Sequence, residues 1–124
     1  MHLRTTYTKG HRPDSFIRIH LARVNAIGPG KADLLESIAG SGSIAEAARR
    51  MGMSYRRAWN MVKALNNSFR APLVETVKGG RAGGSARLTV IGDEVLRRYR
   101  RMESDAAEAI ATEVEDFRKF IRSR

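Results

Sequence analysis

Residues 43–70 contain two short helical patterns that follow one another with only a three-residue turn between them. Ser43 and Glu46 have the spacing of a capping box, which predicts that a helix begins there. Apolar residues at positions i, i+3, i+4 and i+7 predict one buried stripe along this helix: Ile44, Ala47, Ala48 and Met51. Gly52 can adopt the positive φ that ends a helix, and Ser54 is a favourable N-cap for the next one. The sequence therefore predicts two adjacent helices joined by a sharp turn.

The second helix is predicted from Tyr55 to about Arg70. Its buried stripe combines four residues at helical spacing, with Trp59 beside them: Ala58, Val62, Leu65 and Phe69. Arg56, Arg57 and Asn60 then lie on the opposite, solvent-facing side. Two helices in this arrangement are typical of a helix-turn-helix, in which the first helix supports the second and the second presents its N-terminal residues to a DNA groove.

A β-hairpin is predicted after this helix. The short strand patterns "LVETV" (73–77) and "ARLT" (86–89) are joined by "KGGRAGGS" (78–85), a loop with four glycines and two cations. A helix-turn-helix followed by such a hairpin is the plan of a winged helix, whose wing lies along the DNA backbone. The loop is also similar to a phosphate-binding nucleotide loop, but no Lys-Ser/Thr pair follows it and no G-x-G-x-x-G opens a helix.

The rest of the chain predicts a single α+β domain that is mostly helical. Residues 1–15 are polar and without periodicity, which predicts a flexible tail. "FIRIHLARV" (16–24) alternates apolar and polar residues like a half-buried strand, and "KADLLESIAG" (31–40) follows as a helix with Gly40 as its stop. That helix is expected to bury Leu34, Leu35, Ile38 and Ala39. The domain is therefore predicted over residues 16–124.

A long helix is predicted over about residues 90–122, with Thr89 as its N-cap. Apolar residues recur along it at steps of three and four, close to a coiled-coil seam: Val95, Tyr99, Met102, Ala106, Ile110, Val114, Phe117 and Ile121. Such a stripe needs a partner helix, and helix-turn-helix proteins bind paired half-sites as dimers, so we expect a homodimer. Two alternatives stay open: the stripe packs on the chain's own core, or the helix breaks near Ser104.

The net charge of +10 is concentrated in one segment. Residues 49–101 contain 13 basic and three acidic side chains, whereas the rest of the chain is balanced. A focused positive field predicts a polyanionic partner such as nucleic acid. The absence of cysteine excludes disulfides and thiolate chemistry. The sequence also has no apolar run near 18 residues and no apolar leader, so we expect a cytoplasmic protein that does not enter a membrane.

The first residues of the second helix are the candidates for reading base edges: Tyr55, Arg56, Arg57 and Asn60. Phosphate contacts are expected from four further cations: Lys63, Lys78, Arg81 and Arg87. Two capping serines complete the candidate DNA-binding set, Ser43 and Ser54, and Ser54 can also help to hold a phosphate at the positive helix end. Whether each arginine touches a base or a phosphate stays open. Trp59 could stack on a nucleobase, but its place beside the buried stripe favours core packing.

The stretch "GSIAEAARRMGMSYRRAW" (42–59), with "LNN", "PLVET" and the glycine-rich wing followed by "LT..G", resembles the N-terminal DNA-binding domain of the ModE family of molybdate-responsive transcription regulators. The resemblance covers about residues 16–103, and this region is also similar to the LysR-type winged helix. It implies a winged helix that dimerises through its helices and represses or activates genes for molybdate uptake and molybdoenzymes. The full-length regulators sense molybdate with C-terminal domains, whereas this sequence ends at Arg124 after one helix. We therefore expect no molybdate-binding module, no metal and no cofactor, and we assign no effector.

An enzyme is disfavoured, because His2, His11 and His20 lie in the tail and the first strand, no H-E-x-x-H motif occurs and no nucleophile has an evident base. A dimeric adaptor, or a protein that binds nucleic acid without sequence preference, stays open as the alternative. We expect a sequence-specific regulator that binds double-stranded DNA, because the cations concentrate on the helix-turn-helix and the wing.

Overall fold

The computed structural model describes residues 26–78 and 84–123. Within these ranges the chain forms five α-helices and one two-stranded antiparallel sheet: α1 (Pro29–Ser41), α2 (Ile44–Met51), α3 (Tyr55–Ser68), β1 (Val74–Val77), β2 (Ser85–Leu88), α4 (Val90–Ala109) and α5 (Ala111–Arg118). This confirms the predicted α+β class, with a helix-turn-helix followed by a hairpin. The predicted tail (1–15), the predicted strand (16–24) and the wing tip around Arg81 lie outside the described residues. None of the five described helices has the length and apolar character that a membrane span requires.

Helix α1 continues past its predicted stop. Gly42, at φ 80°, is the residue that caps it, and the Gly42 N–H donates to the Ile38 carbonyl at 2.8 Å. The prediction that Gly40 ends the helix is wrong, because the left-handed conformation of the helix end falls on Gly42 instead. Ala39 is exposed, also against prediction. The other members of the predicted stripe lie in the core: Leu34, Leu35 and Ile38.

The sharp turn between α2 and α3 is confirmed. Ser43 caps α2 by accepting a hydrogen bond from the Glu46 N–H (2.9 Å), and Gly52 ends the helix at φ 68°. The Met53 N–H then donates back to the Ala48 carbonyl (3.0 Å), which closes the helix end. The second half of the predicted capping box is not formed, because the Glu46 carboxylate pairs with two arginines on the next turn of α2.

The core lies between α1 and the helix-turn-helix and continues under the hairpin and the first half of α4. Its largest buried apolar side chains come from all of these elements: Leu34, Leu35, Ile38, Leu65, Leu73 and Tyr99. Each fully buried leucine contributes about 2 kcal/mol to the free energy of unfolding. Three alanines of α2 and α3, Ala47, Ala48 and Ala58, are at most 2 % exposed. Because these side chains are small, the two helix backbones can approach each other closely.

The hairpin is attached to the helices at its base. Its strands pair in one register: Val74 with Leu88, Glu75 with Arg87, Thr76 with Ala86 and Val77 with Ser85. The Ala86 N–H donates to the Gly42 carbonyl (2.8 Å), which ties β2 to the end of α1. The Thr89 N–H donates to the Leu73 carbonyl (2.9 Å), which ties the end of β2 to the residue before β1. The wing therefore extends from a fixed base.

Thr89 also joins the hairpin to α4. Its hydroxyl donates to the Pro72 carbonyl (2.7 Å) and accepts from the Gly92 N–H (2.9 Å), so the predicted N-cap is confirmed. Gly92 lies directly against the backbone of Leu73, and a Cβ at this position would overlap the Leu73 carbonyl. The first turn of α4 is thus packed against the segment that precedes β1, and only glycine fits there.

Arg100 joins α4 to α1 inside the protein. Its guanidinium contacts three carboxylates, those of Asp33 (2.6 Å), Glu36 (2.9 Å) and Glu103 (2.9 Å). The side chains of Arg100 and Glu103 are only 5 % and 2 % exposed. Desolvation by burial lowers the pKa of Arg100, but hydrogen bonds to the three carboxylates outweigh this effect and raise the pKa overall. The sequence patterns did not predict this buried cluster.

The predicted single C-terminal helix is divided at Ile110. The backbone of Ile110 leaves the helical region, at φ −108° and ψ 11°. Hydrogen bonds continue on both sides, from the Ile110 N–H to the Ala106 carbonyl (3.2 Å) and from the Val114 N–H to the Ile110 carbonyl (2.9 Å). Helix α5 buries no residue. The predicted continuous helix over 90–122 is therefore not formed.

Candidate nucleic-acid interface

The first turn of α3 is exposed and carries the side chains predicted to read DNA. Ser54 caps the helix by accepting a hydrogen bond from the Arg57 N–H (3.1 Å), as predicted. The opposite face lies in the core, where Ala58, Val62 and Leu65 are at most 2 % exposed. All four predicted base-reading residues are exposed on the free face: Tyr55, Arg56, Arg57 and Asn60. The fold therefore holds this helix from behind and leaves its N-terminal end open to a partner.

Among the described residues, the exposed cations of α3, and Lys78 in the hairpin, are not paired with acids. In the described part of the chain, four of them form no ion pair: Arg56, Arg57, Lys63 and Lys78. On α2, by contrast, the Glu46 carboxylate contacts Arg49 (2.5 Å) and Arg50 (3.1 Å). Hydrogen bonds from Arg49 and then Arg50 lower the pKa of Glu46 to about 2. The positive charge of α2 is thus partly neutralised, whereas that of α3 is available to an anion.

Arg87, predicted as a phosphate contact, has an acidic partner within the hairpin. It lies opposite Glu75 in the strand register, and its Nε contacts the Glu75 carboxylate at 2.5 Å. The two side chains are 75 % and 45 % exposed, so the pair adds little to stability. A phosphate could therefore replace Glu75 at small cost. Arg81, another predicted phosphate contact, lies outside the described residues.

A cleft of about 430 Å³ separates the recognition helix α3 from the wing. Tyr55 and Trp59, one helical turn apart, line one side, and the hairpin residues Val77, Lys78 and Ser85 line the other. Tyr55 and Val77 are more than half exposed. The structure thus brings together the predicted base-reading end of α3 and the predicted phosphate-binding residue Lys78 across one open groove.

Trp59 and Ser43 have structural roles beside the candidate surface. Trp59 is half-buried and packs against the core, as predicted, while part of its surface lines the cleft. Ser43 is half-buried as the N-cap of α2, and its backbone also exchanges hydrogen bonds with the Ser41 hydroxyl, so its place in the DNA-binding set stays a prediction. Ser54 remains both cap and exposed residue at the start of α3.

Asn66 was not singled out from the sequence, yet it links the recognition helix to the wing. Its Oδ1 accepts hydrogen bonds from the N–H groups of Leu73 (2.8 Å) and Val74 (3.0 Å), and its Nδ2 donates to the Val74 carbonyl (3.0 Å). Asparagine is unfavourable within helices, because its side chain competes for backbone hydrogen bonds. The Asn-Asn pair inside a predicted helix was therefore a signal that could have identified this position.

The predicted dimerisation stripe is divided between core and surface. Tyr99 is 1 % exposed and belongs to the chain's own core, so its assignment to an intermolecular seam is wrong. Four stripe residues are half-buried: Val95, Ala106, Ile110 and Val114. Met102, Phe117 and Ile121 are exposed, at 38 %, 66 % and 61 %, and so is Phe120, which the stripe had not included, at 85 %. The most exposed residues of the predicted stripe therefore lie on α5 and in the residues that follow it.

The comparison with protein families identifies the helix-turn-helix and wing region. Residues 31–93 match the family described as bacterial regulatory helix-turn-helix protein, lysR family. The chain is 44 % identical over 84 residues to the molybdenum-pterin-binding protein MopA of Rhodobacter capsulatus. The aligned residues cover 68 % of this chain and 32 % of MopA. It is 39 % identical over 71 residues to the DNA-binding transcriptional dual regulator ModE of Escherichia coli (strain K12). That alignment covers 57 % of this chain and 27 % of ModE. The chain spans about a third of the length of these relatives, and the matched stretch is a ModE-like DNA-binding domain.

Two solved structures share the fold. One is a complex of the CbnR DBD with DNA, with a TM-score of 0.56 at 22 % identity, covering 70 % of this chain and 94 % of that one. The other is a variant of ZitR from Lactococcus lactis, with a TM-score of 0.54 at 15 % identity, covering 90 % of this chain and 74 % of that one. At these identities the likeness concerns the fold alone, and it confirms the winged-helix architecture.

Proposed function

Because the chain belongs to the lysR family of bacterial regulatory helix-turn-helix proteins, we propose that it regulates transcription by binding a specific site on double-stranded DNA as a homodimer. The observation that carries this proposal is the exposed first turn of α3, whose cations have no acidic partner among the described residues. A helix supported from behind can enter the major groove without rearranging the core. Such a regulator works where the chromosome lies, in agreement with the cytoplasmic location expected from the sequence.

Two kinds of DNA contact are proposed, to base edges from the start of α3 and to phosphates from both α3 and the wing. Arg56, Arg57 and Asn60 are proposed to meet base edges, because arginine pairs with guanine and asparagine with adenine in the major groove. Each good bidentate pair discriminates against a wrong base by about 1–3 kcal/mol. Lys63 and Lys78 are proposed to contact phosphates, with one strand of the duplex passing through the cleft between α3 and the hairpin.

A second copy of the chain is proposed to cover the exposed apolar residues at the C-terminal end. Phe117, Phe120 and Ile121 are each more than 60 % exposed. Large exposed apolar side chains that lie together mark an interaction surface. A symmetric dimer would bury them twice and would place two copies of α3 on successive half-sites.

The principal experiment is selection of bound fragments from a random duplex pool, followed by gel retardation of the selected duplex and an RNA of equal length. We expect a palindromic site and strong preference for it over both unrelated duplex and RNA. If the four unpaired cations described on α3 and at Lys78 each contact a phosphate in both protomers, the salt dependence of log Kd should have a slope of about 7. Equal binding of all duplexes and of RNA would instead support a protein that binds nucleic acid without sequence preference.

A pair of double variants tests the recognition helix directly. Arg56→Ala with Arg57→Ala should abolish the preference for the selected site and leave the fold intact, because both side chains are exposed. Arg49→Ala with Arg50→Ala is the matched control, since these adjacent arginines are exposed but paired with Glu46. If the first variant still prefers the selected site as the wild type does, α3 does not read its bases.

The homodimer is tested by sedimentation of Phe117→Ser with Ile121→Ser. This variant should be monomeric at concentrations where the wild type is dimeric, and it should bind a palindromic site more weakly. Val90→Ser is the control, because Val90 is an 88 % exposed apolar residue at the other end of the α4–α5 region. A wild-type chain that sediments as a monomer at all concentrations would contradict the proposal.

We further propose that the regulated genes serve molybdenum metabolism, because relatives such as MopA and ModE carry names that concern molybdenum. The test is the position of the selected site in the genome that encodes this chain. Sites upstream of genes for molybdate transport or molybdoenzymes would support the link, and sites confined to unrelated promoters would contradict it. No molybdate-binding residue is proposed on this chain.

A further inference from the structure

The amide of Asn66 spans the gap between the recognition helix and the wing. It lies half-buried near the end of α3 and makes three hydrogen bonds with Leu73 and Val74, at 2.8, 3.0 and 3.0 Å. Its oxygen faces two backbone N–H donors and its nitrogen faces one carbonyl acceptor. This arrangement uses the amide in the one orientation that satisfies all three backbone groups.

These bonds supply the side-chain hydrogen bonding between α3 and the start of the hairpin, beside the apolar packing in one core cluster that includes Leu65, Leu73 and Val74. In the ranges that the structure describes, no other side chain of α3 forms a hydrogen bond with the hairpin or with the residues just before it. The remaining anchors of the hairpin come from elsewhere, at the Gly42 carbonyl and at Thr89. Leu73 and Val74 are 0 % and 2 % exposed. If the Asn66 side chain is removed, their buried N–H groups therefore lose the acceptor to which they donate. Since buried unpaired amides are unfavourable, the segment would shift to satisfy them.

A small shift of the Leu73–Val74 segment becomes a larger displacement beyond the far end of β1. Lys78 lies four residues beyond Val74, which is about 13 Å along an extended strand. A rotation of 10° at Val74 would move Lys78 by about 2 Å, enough to separate an ammonium from a phosphate oxygen at hydrogen-bond distance.

We therefore propose that Asn66 is a positioning residue for DNA binding, which sets the angle between α3 and the wing so that both reach one duplex together. This inference rests on the proposed DNA-binding function. We expect Asn66 itself to make no contact with DNA and to act through Lys78, at the end of β1. Its removal should therefore reduce phosphate contacts while leaving the base preference of α3 in place.

The test is a double-mutant cycle of Asn66→Ala with Lys78→Ala, measured as Kd for the selected duplex over a range of salt concentrations. Asn66→Ala should weaken binding roughly tenfold and reduce the salt slope by about one for each wing cation displaced. Lys78→Ala should then have a much smaller effect in the Asn66→Ala background than in the wild type, because the contact is already lost. Asn67→Ala is the matched control, since Asn67 is the neighbouring residue, is exposed, and its side chain makes no hydrogen bond among the described residues.

The inference would be overturned if the effects of Asn66→Ala and Lys78→Ala on the binding free energy are additive and Asn66→Ala keeps the wild-type salt slope. The proposed function would still stand in that case. Absence of any duplex binding by the wild type would overturn the proposed function and this inference with it. If Asn66→Ala does not fold, Asn66→Asp replaces it, because a carboxylate can keep the two acceptor bonds, while its second oxygen repels the Val74 carbonyl instead of donating to it. An intermediate salt slope is expected for Asn66→Asp, and an unchanged slope counts against positioning.

Amide hydrogen exchange provides a readout without DNA. Exchange at Leu73 and Val74 should be faster in Asn66→Ala than in Asn67→Ala, while exchange in the core of α1 should be equal in both. Equal exchange at Leu73 and Val74 in the two variants would show that the Asn66 bonds do not hold the base of the wing, and would overturn the inference.

Discussion

Replacing Arg100 by methionine should destabilise the protein by about 3–5 kcal/mol. Methionine retains most of the apolar stem, so the main loss is the guanidinium that three carboxylates share. The Glu103 side chain is 2 % exposed and that of Glu36 is 11 % exposed, so neither can turn to water when Arg100 is gone. Removing one partner of a buried ion cluster is costly because it leaves buried charge without compensation.

The expected loss is large against the total stability of the chain. A domain of 124 residues has a free energy of unfolding of about 6–19 kcal/mol. At roughly 3–5 °C for each kcal/mol, Arg100→Met should lower Tm by about 9–25 °C. The assay is thermal and urea unfolding followed by circular dichroism, at one fixed protein concentration because dimerisation adds to apparent stability. Arg101→Met is the control, because Arg101 is the exposed neighbour and its loss should change stability by less than about 0.5 kcal/mol.

A double variant distinguishes loss of the ion cluster from loss of packing. Adding Glu103→Met to Arg100→Met removes one of the unpaired charges, so the combined destabilisation should be smaller than the sum of the two single effects by about 1–3 kcal/mol. If the two substitutions only created packing defects, their destabilising effects on the free energy of unfolding would instead be additive. The reasoning is refuted if Arg100→Met is no more destabilising than Arg101→Met, or if the effects of Arg100→Met and Glu103→Met are additive.

Three further predictions concern other parts of the fold. In urea unfolding, Gly92→Ala should cost about 1–3 kcal/mol because its Cβ would meet the Leu73 carbonyl, whereas Gly40→Ala, with open space around it in α1, should stabilise by up to about 1 kcal/mol. Trp59 is the single tryptophan, so its fluorescence should change when the selected duplex enters the cleft, and unchanged emission at saturating DNA would exclude a strand there. Glu46 has its pKa lowered from 4.5 to about 2, so its ion pairs stabilise the fold fully above about pH 4.5 and are lost as the pH falls towards 2. The stability difference between wild type and Glu46→Gln should therefore shrink over that interval, and a constant difference would contradict the ion pairs.

The helix-turn-helix was predictable because its signals are local. Ser43, Gly52 and Ser54 each act within one turn of the backbone they cap, and all three have the predicted roles. The buried stripe of α3 was also predictable, since its helical spacing specifies one face whatever it packs against. Gly40 shows the limit of this reasoning. Two glycines lay near the predicted end of α1, and the Gly42 contacts with Ile38 and with the hairpin decide which one ends it.

The features that sequence reasoning missed depend on residues far apart in the chain. Arg100 meets Asp33 and Glu36 more than 60 positions away, and no local pattern marks that meeting. Tyr99 was assigned to an intermolecular seam because it matches the apolar spacing, but spacing alone does not say which protein surface covers a stripe. The first half of the predicted stripe, which includes Tyr99, packs on the core of this chain. The second half, beyond Ile110, lies on α5, which buries no residue.

The arrangement of acidic residues, more than the number of basic ones, decides which cations this protein can offer to DNA. Helix α2 carries Glu46 within one turn of two arginines, and α4 carries Glu94 in contact with Arg97 and Arg98. Those arginines are engaged within their own helices, and Arg100 is buried. Helix α3, by contrast, contains no acidic residue from its first position to its last. Its cations therefore have no competitor on their own helix, and they form no ion pair elsewhere among the described residues, which leaves them available to an anionic partner.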